Sequence, residues 1–347
     1  MATCRLIFLA VLILGNVVCK KLADWQKEVD EHNKKPGVTW KAKLSPKIDY
    51  EDDELLKRLA SLKIDYTRKG TAPKKNDESS KRRLEGTVYP TTLDLRLRFP
   101  QCESISFIRD QGACGSCWAV SAMSCLSDRY CIAYSKDATI VQKRFSYEDV
   151  LECCNWCIAS FNGCNGGYVD MAMYWAQLFG VVSGEEYGNK KYCKPYFLSP
   201  TASFGLAPSC STKCVNVASR LAGSAYKNDK RRIWNYGLYI RSDYSSNIEM
   251  VTAMKGALDR HGSLVATMAV YECFMTYSSG VYVRTSDVLK GYHAIRLIGW
   301  DESNPENPYW IVANSWGQNW GMSGFFWIRM YTNESEFENY VVEGNFV

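Results

Sequence analysis

The chain has 347 residues, 46% of them hydrophobic, which is long and apolar enough for more than one ordinary domain's core. Gly and Pro are unexceptional and no repeat period appears, so fibrous and solenoid classes are excluded. The net charge of +5 sits in the N-terminal arm, with 18 Lys/Arg against 13 Asp/Glu from Lys20 to Val88. From Tyr89 onward 23 oppose 24, which offers no basic face for nucleic acid.

In chain order, Arg5 precedes an apolar run from Leu6 to Gly15, followed by the short residues Asn16 to Cys19. Such a run is too short to span a bilayer and predicts a signal peptide over 1–19. No later stretch reaches membrane-spanning length, so the exported protein is expected to be soluble. The arm over 20–88 has no Cys and two short helical patterns: Leu22, Trp25, Val29, and then Leu55, Leu56, Leu59, Leu62. The polar stretch from Tyr66 to Gly86 has almost nothing to bury and predicts an exposed, cleavable linker. The arm therefore reads as a segment that is removed.

The body, 89–347, opens helically. Trp118, Ala119, Ala122, Met123, Leu126 and Tyr130 fall on one apolar helix face. It then turns to strands, at Gly280–Val283, Ala294–Trp300, Tyr309–Ala313 and Gly324–Met330, with a turn at Asn304-Pro305-Glu306-Asn307-Pro308. Helices followed by strands predict an α+β protein of two lobes with a cleft between them.

Fifteen cysteines in an exported chain imply a disulfide framework. Cys4 and Cys19 lie in the signal; the other thirteen start at Cys102, and an odd number leaves at least one thiol free. In Gln111-Gly112-Ala113-Cys114-Gly115-Ser116-Cys117-Trp118 a Gly-rich turn delivers Cys117 to the first turn of the apolar helix. Unpaired N–H groups and the helix dipole favour a thiolate there, and a neighbouring imidazolium lowers a thiol pKa to about 3.5–7.5. Of three histidines, His32 lies in the arm, His261 in a polar turn, and His293 at the start of the strand Ala294 to Trp300. Asn314, in Ala313-Asn314-Ser315-Trp316-Gly317 at the end of a neighbouring strand, is placed to orient the His293 ring. A nucleophile, a base and an orienting amide are what acyl transfer through a thioester needs. Gln111 is placed to donate, with the Cys117 N–H, to a developing oxyanion. Trp316 and Trp320 either shield the His293–Asn314 hydrogen bond or simply pack the core.

The strings Asp110 to Ala119, Gly163-Cys164-Asn165-Gly166-Gly167, His293 to Trp300 and Asn314-Ser315-Trp316-Gly317 together resemble the papain family of cysteine peptidases, in its cathepsin B-like branch. The resemblance covers Tyr89 to about Gly344 and reaches into the arm through Thr39-Trp40-Lys41-Ala42 and Leu56-Lys57-Arg58-Leu59. It implies a papain-like fold, with a helical left lobe, a β-barrel-like right lobe, and a pro-segment lying backwards across the cleft. It also implies a substrate groove at Gly166, Gly167, Trp316 and Tyr340, and protein substrates, the pro-segment and cystatin-type inhibitors as partners. The disulfides it implies are Cys102–Cys131, Cys114–Cys164, Cys153–Cys210, Cys154–Cys157 and Cys193–Cys214. An oxidising compartment favours these bridges over a zinc cluster at Cys153, Cys154, Cys157 and Cys164, so neither metal nor cofactor is expected. Cys125 and Cys273 have no family counterpart and are left as free thiols or an extra bridge.

Two departures bear on specificity. The occluding loop of cathepsin B carries two histidines that hold a substrate's C-terminal carboxylate, whereas Cys193 to Cys210 here is shorter and has none. Tyr196, Phe197, Ser199, Thr201 and Phe204 build no cationic clamp, although Lys194 offers one charge; mainly endopeptidase action is expected. Tyr340, two residues after Glu338 and ahead of Val341-Val342, stands where the family places the acid of the S2 pocket. A preference for Arg at P2 is then expected to fade. Asn333-Glu334-Ser335 is an acceptable N-glycosylation site. Intact Cys117, His293, Asn314 and Gln111 argue against a non-catalytic binding relative, and their order against a disulfide-stapled adhesion protein.

Overall fold

The computed structural model describes residues 20–71, 88–135, 143–202, 205–218 and 221–346. The signal peptide with Cys4 and Cys19, most of the linker ahead of the body, and Phe204 lie outside the described residues.

The arm contributes α1 (Leu22–Lys34), β1 (Trp40–Ala42) and α2 (Asp53–Leu59). In the body follow β2 (Thr92–Asp94) and the short helices α3 (Leu95–Arg98) and α4 (Glu103–Ser106). The helical lobe is built on α5 (Cys117–Tyr134), α6 (Tyr147–Cys153), α7 (Val169–Phe179) and α8 (Ala222–Asp229). Then come β3 (Asn235–Ile240), α9 (Asn247–His261), β4 (Leu264–Tyr271), β5 (Tyr277–Tyr282), β6 (Leu289–Asp301), β7 (Tyr309–Ala313), β8 (Phe325–Arg329) and β9 (Tyr340–Asn345).

The strands lie in the order β1-β5-β8-β7-β6-β4-β9-β3, with β2 added against β6. Pairing is antiparallel except between β5 and β8. This sheet is open and does not close, so the barrel-like lobe expected from the resemblance is corrected to a mixed α+β sheet lobe. The arm's β1 is its edge strand, covering backbone groups of β5 that would otherwise be bare.

Helix α5 departs from the single apolar face that its sequence suggests. Every residue from Cys117 to Cys131 is buried, polar ones included. The polar groups survive burial because other elements satisfy them. The Ser121 hydroxyl donates to the Ala294 carbonyl at 2.6 Å, and Asp128 takes both Arg296 contacts at 2.8 Å. These bonds fix α5 against β6, which is buried from His293 to Trp300. Two apolar cores result. One holds Trp300, Trp310, Trp316 and Trp320 with the arm's Trp25 and Trp40; the other holds α5, α7 and the arm's Leu62.

Candidate active site

Cys117 is the first residue of α5 and is fully buried. The Gly115 N–H donates to the Cys164 carbonyl at 2.8 Å, and the Cys114–Cys164 disulfide closes the same turn. The sulfur faces backbone N–H groups of Ala294, Trp118, Leu62 and Ser61. Trp118 belongs to the helix start, Ala294 adjoins His293 on β6, and Ser61 and Leu62 belong to the arm. Burial nevertheless dominates and pushes the Cys117 thiol up to about 11.

His293 stands on β6 with Nε2 2.8 Å from Asn314 Oδ1. An amide oxygen only accepts, so Nε2 carries the hydrogen and Nδ1 is the free acceptor. Nδ1 is buried with no hydrogen-bond partner among the described residues, as befits the atom that would take a thiol proton. Asn314 Oδ1 also accepts from the Ser315 N–H at 2.8 Å, which fixes the amide's orientation. Trp316 lies 5.0 Å from the His293 ring and Trp320 5.1 Å from Trp316, so both cover this bond and join the core. Burial drives the imidazole down to about 4, with the Asn314 bond acting weakly the other way. Thiol and imidazole are thus both neutral while covered.

Gln111 lies beside the pair and is fully buried. Its Nε2 donates to the Cys114 carbonyl at 3.0 Å and its Oε1 accepts from the Ser315 hydroxyl at 2.7 Å. That uses one of the two amide hydrogens and leaves the other for an oxyanion. Tyr196, weighed in the sequence only for a carboxylate clamp, supports it instead: its buried hydroxyl donates to the Gln111 carbonyl at 2.9 Å and lies 3.0 Å from Ser116 Oγ. Tyr196 thereby ties the segment 193–210 to the turn that presents Cys117.

The cleft is occupied by the arm. The Leu62 N–H donates to the Tyr292 carbonyl at 2.9 Å, the Lys63 N–H to Gly167 at 3.1 Å, and the Tyr292 N–H to Ala60 at 3.1 Å. Gly166 has φ +102°, and a Cβ there would sit 2.0 Å from the Ser61 carbonyl oxygen. Glycine is required for backbone to pass that closely. Further along, Lys47 pairs with Asp110 at 2.6 Å and donates to the Pro200 carbonyl at 2.9 Å.

All five disulfides implied by the resemblance are present, and Cys117, Cys125 and Cys273 are free. Cys125 is buried against the Ser263 carbonyl at 3.0 Å, and Cys273 lies 3.2 Å from the Tyr282 hydroxyl. No group of three or more His, Cys, Asp or Glu could hold a metal among the described residues. His32 is buried in the arm beside Trp40, and His261 ends α9 exposed. Lys194 corrects the sequence reading. It turns inward, 4% exposed, to Glu152 at 2.6 Å and Asp149 at 3.4 Å, so it offers the cleft no charge. Asn333 Nδ2 donates to Asn339 at 2.8 Å, a bond that a glycan would have to break.

Glu338 is likewise committed inside, accepting from Trp310 Nε1 and from the Tyr331 and Asn333 N–H groups, each at 2.9 Å. Tyr340, 2% exposed, begins β9 at the pocket the resemblance assigns to S2 and brings no carboxylate. A carboxylate stands beside it all the same, from Asp170 in the first turn of α7. No motif marks Asp170; only the packing of α7 against β9 brings it there.

Residues 89–344 match the model of the papain family cysteine proteases. The chain belongs to that family. It is 35% identical to cathepsin B-like cysteine proteinase 4 of Caenorhabditis elegans, with 96% of each chain covered. It is 40% identical to a gut-specific cysteine proteinase of the same organism over 74% of this chain and 73% of the relative. Among solved structures, procathepsin B S9 of Trypanosoma congolense superposes with a TM-score of 0.73 at 30% identity, covering 92% of this chain and 97% of its own. That coverage reaches into the arm, and the matched protein is itself a proenzyme. The protein is a cathepsin B-like cysteine protease, a hydrolase of peptide bonds. No helix among the described residues is long and apolar enough to cross a membrane.

Proposed function

We propose that the chain is the zymogen of a lysosomal or secreted cysteine endopeptidase. In this reading 1–19 is the signal peptide, 20–88 the inhibitory pro-segment and 89–347 the mature enzyme. The observation that carries it is the stretch Ser61–Lys63 lying over a Cys117 sulfur that also faces the N–H next to His293. Removing the arm readmits water, which relieves the desolvation that keeps both groups neutral. The proton then passes from Cys117 Sγ to His293 Nδ1 and leaves an ion pair at a helix start. The thiolate attacks the scissile carbonyl carbon while Gln111 Nε2 and the Cys117 N–H receive the oxyanion. His293 returns the proton to the leaving amine nitrogen, and the thioester remains. Water, deprotonated by His293, then splits the thioester and releases the acid. Gly166, Gly167 and Trp316 line the groove for the extended substrate. Proteins and peptides are the substrates, and cystatin-type inhibitors would compete for the same groove.

Endopeptidase action is favoured because the segment 193–210 carries no histidine and its one lysine nearest the cleft is paired inside. The test uses purified, arm-free enzyme on peptides with blocked and with free C-termini. Internal cleavage of blocked peptides with slow dipeptide release is expected, and Cys117→Ala should lower activity by about four orders of magnitude or more. Efficient stripping of C-terminal dipeptides, or activity retained in Cys117→Ala, would overturn the proposal.

A further inference from the structure

The arm leaves the cleft by a route that tests one wall of it. Beyond Lys63 the chain passes Tyr66, whose ring meets Tyr340 edge-on at 6.1 Å, and reaches Arg68. The Arg68 guanidinium pairs directly with Asp170 and is braced by Asp65 at 3.2 Å. Its centre lies 5.7 Å from the Tyr168 ring and against Met171. Asp170 is 2% exposed, and among the described residues Arg68 is the only cation it pairs with. Its other stabilising contacts are N–H groups at the start of α7.

A second observation comes from the opposite wall. The Tyr340 hydroxyl is buried beside Asp170 and faces its carboxylate. Burial first, and then the charge on Asp170, holds its proton. Tyr236, half-buried nearby, feels the same charge. Rings flanking a carboxylate, with a tyrosine hydroxyl facing it, have the chemistry of a guanidinium site. Planar cations stack on aromatic faces and pair with carboxylates, and an unpaired buried carboxylate is costly.

We propose that Asp170, reaching the pocket from α7, supplies the acid that Tyr340 does not, and that the mature enzyme accepts an arginine side chain at P2, where Arg68 now sits as an internal stand-in. This rests on the endopeptidase reading above and names the specificity of the same cleft. Arg68 leaves with the arm, so a substrate cation takes over an ion pair that maturation has broken. Tyr340 brings a hydroxyl to the same carboxylate.

The test compares blocked dipeptide substrates with Arg at P1 and either Arg, citrulline or Phe at P2. Citrulline has the shape of arginine without its charge, so the wild-type enzyme alone gives an answer that needs no folded variant. A hydrogen-bonded charge is worth about tenfold to a hundredfold, so kcat/KM for P2 Arg should exceed that for P2 citrulline by that factor. Asp170→Asn should erase the difference while P2 Phe changes by less than about threefold, and Asp170→Glu should restore part of it. Equal rates on Arg and citrulline in the wild type would overturn the inference. So would an Asp170→Asn variant in which P2 Arg and P2 Phe fall together. Failure to cleave any of the three, Phe included, would instead defeat the endopeptidase reading itself.

Discussion

All five disulfides fall between Cys102 and Cys214, whereas the sheet lobe from β4 to β9 has none and holds only the free thiol of Cys273. The helical lobe includes long irregular connections, such as 154–168, 183–202 and 205–218, with little regular backbone pairing of their own. Its bridges restrict those loops. The sheet lobe instead relies on ladder pairing around the thirteen-residue β6 and on a core of Trp300, Trp310, Trp316 and Trp320. Each lobe delivers one half of the chemistry: Cys117 from a stapled turn, His293 from β6 and Asn314 from just past the end of β7. A nucleophile needs an exposed helix start, which loops must frame, while the base needs a rigid ring orientation, which strands provide.

That contrast can be broken at its seam, where the largest effect is expected. Arg296→Met removes the cation from Asp128 inside the interface between α5 and β6. A buried carboxylate left alone costs about 3–5 kcal/mol, so a large drop in Tm or loss of folded protein should follow. The double change Arg296→Met with Asp128→Leu should recover much of it, measured by denaturant unfolding.

The next test sharpens the contrast within the helical lobe. Cys114–Cys164 spans 50 residues and Cys154–Cys157 only 3. On the chain-entropy account, opening the first costs about 4 kcal/mol and opening the second about half as much or less. Paired Cys→Ser variants compared by thermal unfolding would show it. Equal losses would mean that local packing sets the effect and loop length does not.

An effect confined to the intact chain belongs to the arm. Trp40 is 2% exposed, and its Nε1 donates to the Val283 carbonyl at 2.9 Å. Trp40→Ala should weaken arm docking by about 3–5 kcal/mol while leaving the arm-free enzyme untouched, since Trp40 is then gone. Faster maturation with an unchanged mature kcat/KM is the expected pair of readings.

Much of the site was legible before folding. A cysteine after a Gly-rich turn, a histidine opening an apolar strand and an asparagine at the end of the next strand are local patterns, and the structure brings Cys117, His293 and Asn314 into one cleft. The strands β6, β7 and β8 were also legible, because apolar runs with a marked turn between them carry their own punctuation. The strands β3, β4 and β9 were not. Leu264 to Val270 is buried on both faces, so the alternation that marks a strand is missing. Residues whose roles come from tertiary placement left no trace either. Tyr196 and Asp170 are ordinary in sequence, and Lys194 looked available because its partners Asp149 and Glu152 lie some forty residues away. The apolar face of α5 was readable, but the burial of Asp128 and Arg129 on it was not, since their partners come from β6 and β9.

The central claim is that the arm keeps Cys117 and His293 neutral and that its removal ionises them. It is tested most directly by alkylating the intact and the arm-free protein with iodoacetamide across pH, following the Cys117 peptide by mass spectrometry so that Cys125 and Cys273 do not interfere. With the thiol at about 11 in the closed state, only about one part in ten thousand is thiolate at pH 7. The intact chain should therefore react negligibly near neutrality and gain rate only in strong alkali. The arm-free enzyme should react readily at pH 6, where an imidazolium-paired thiolate persists and a simple thiol does not. Equal rates in the two forms at pH 6 would contradict the account.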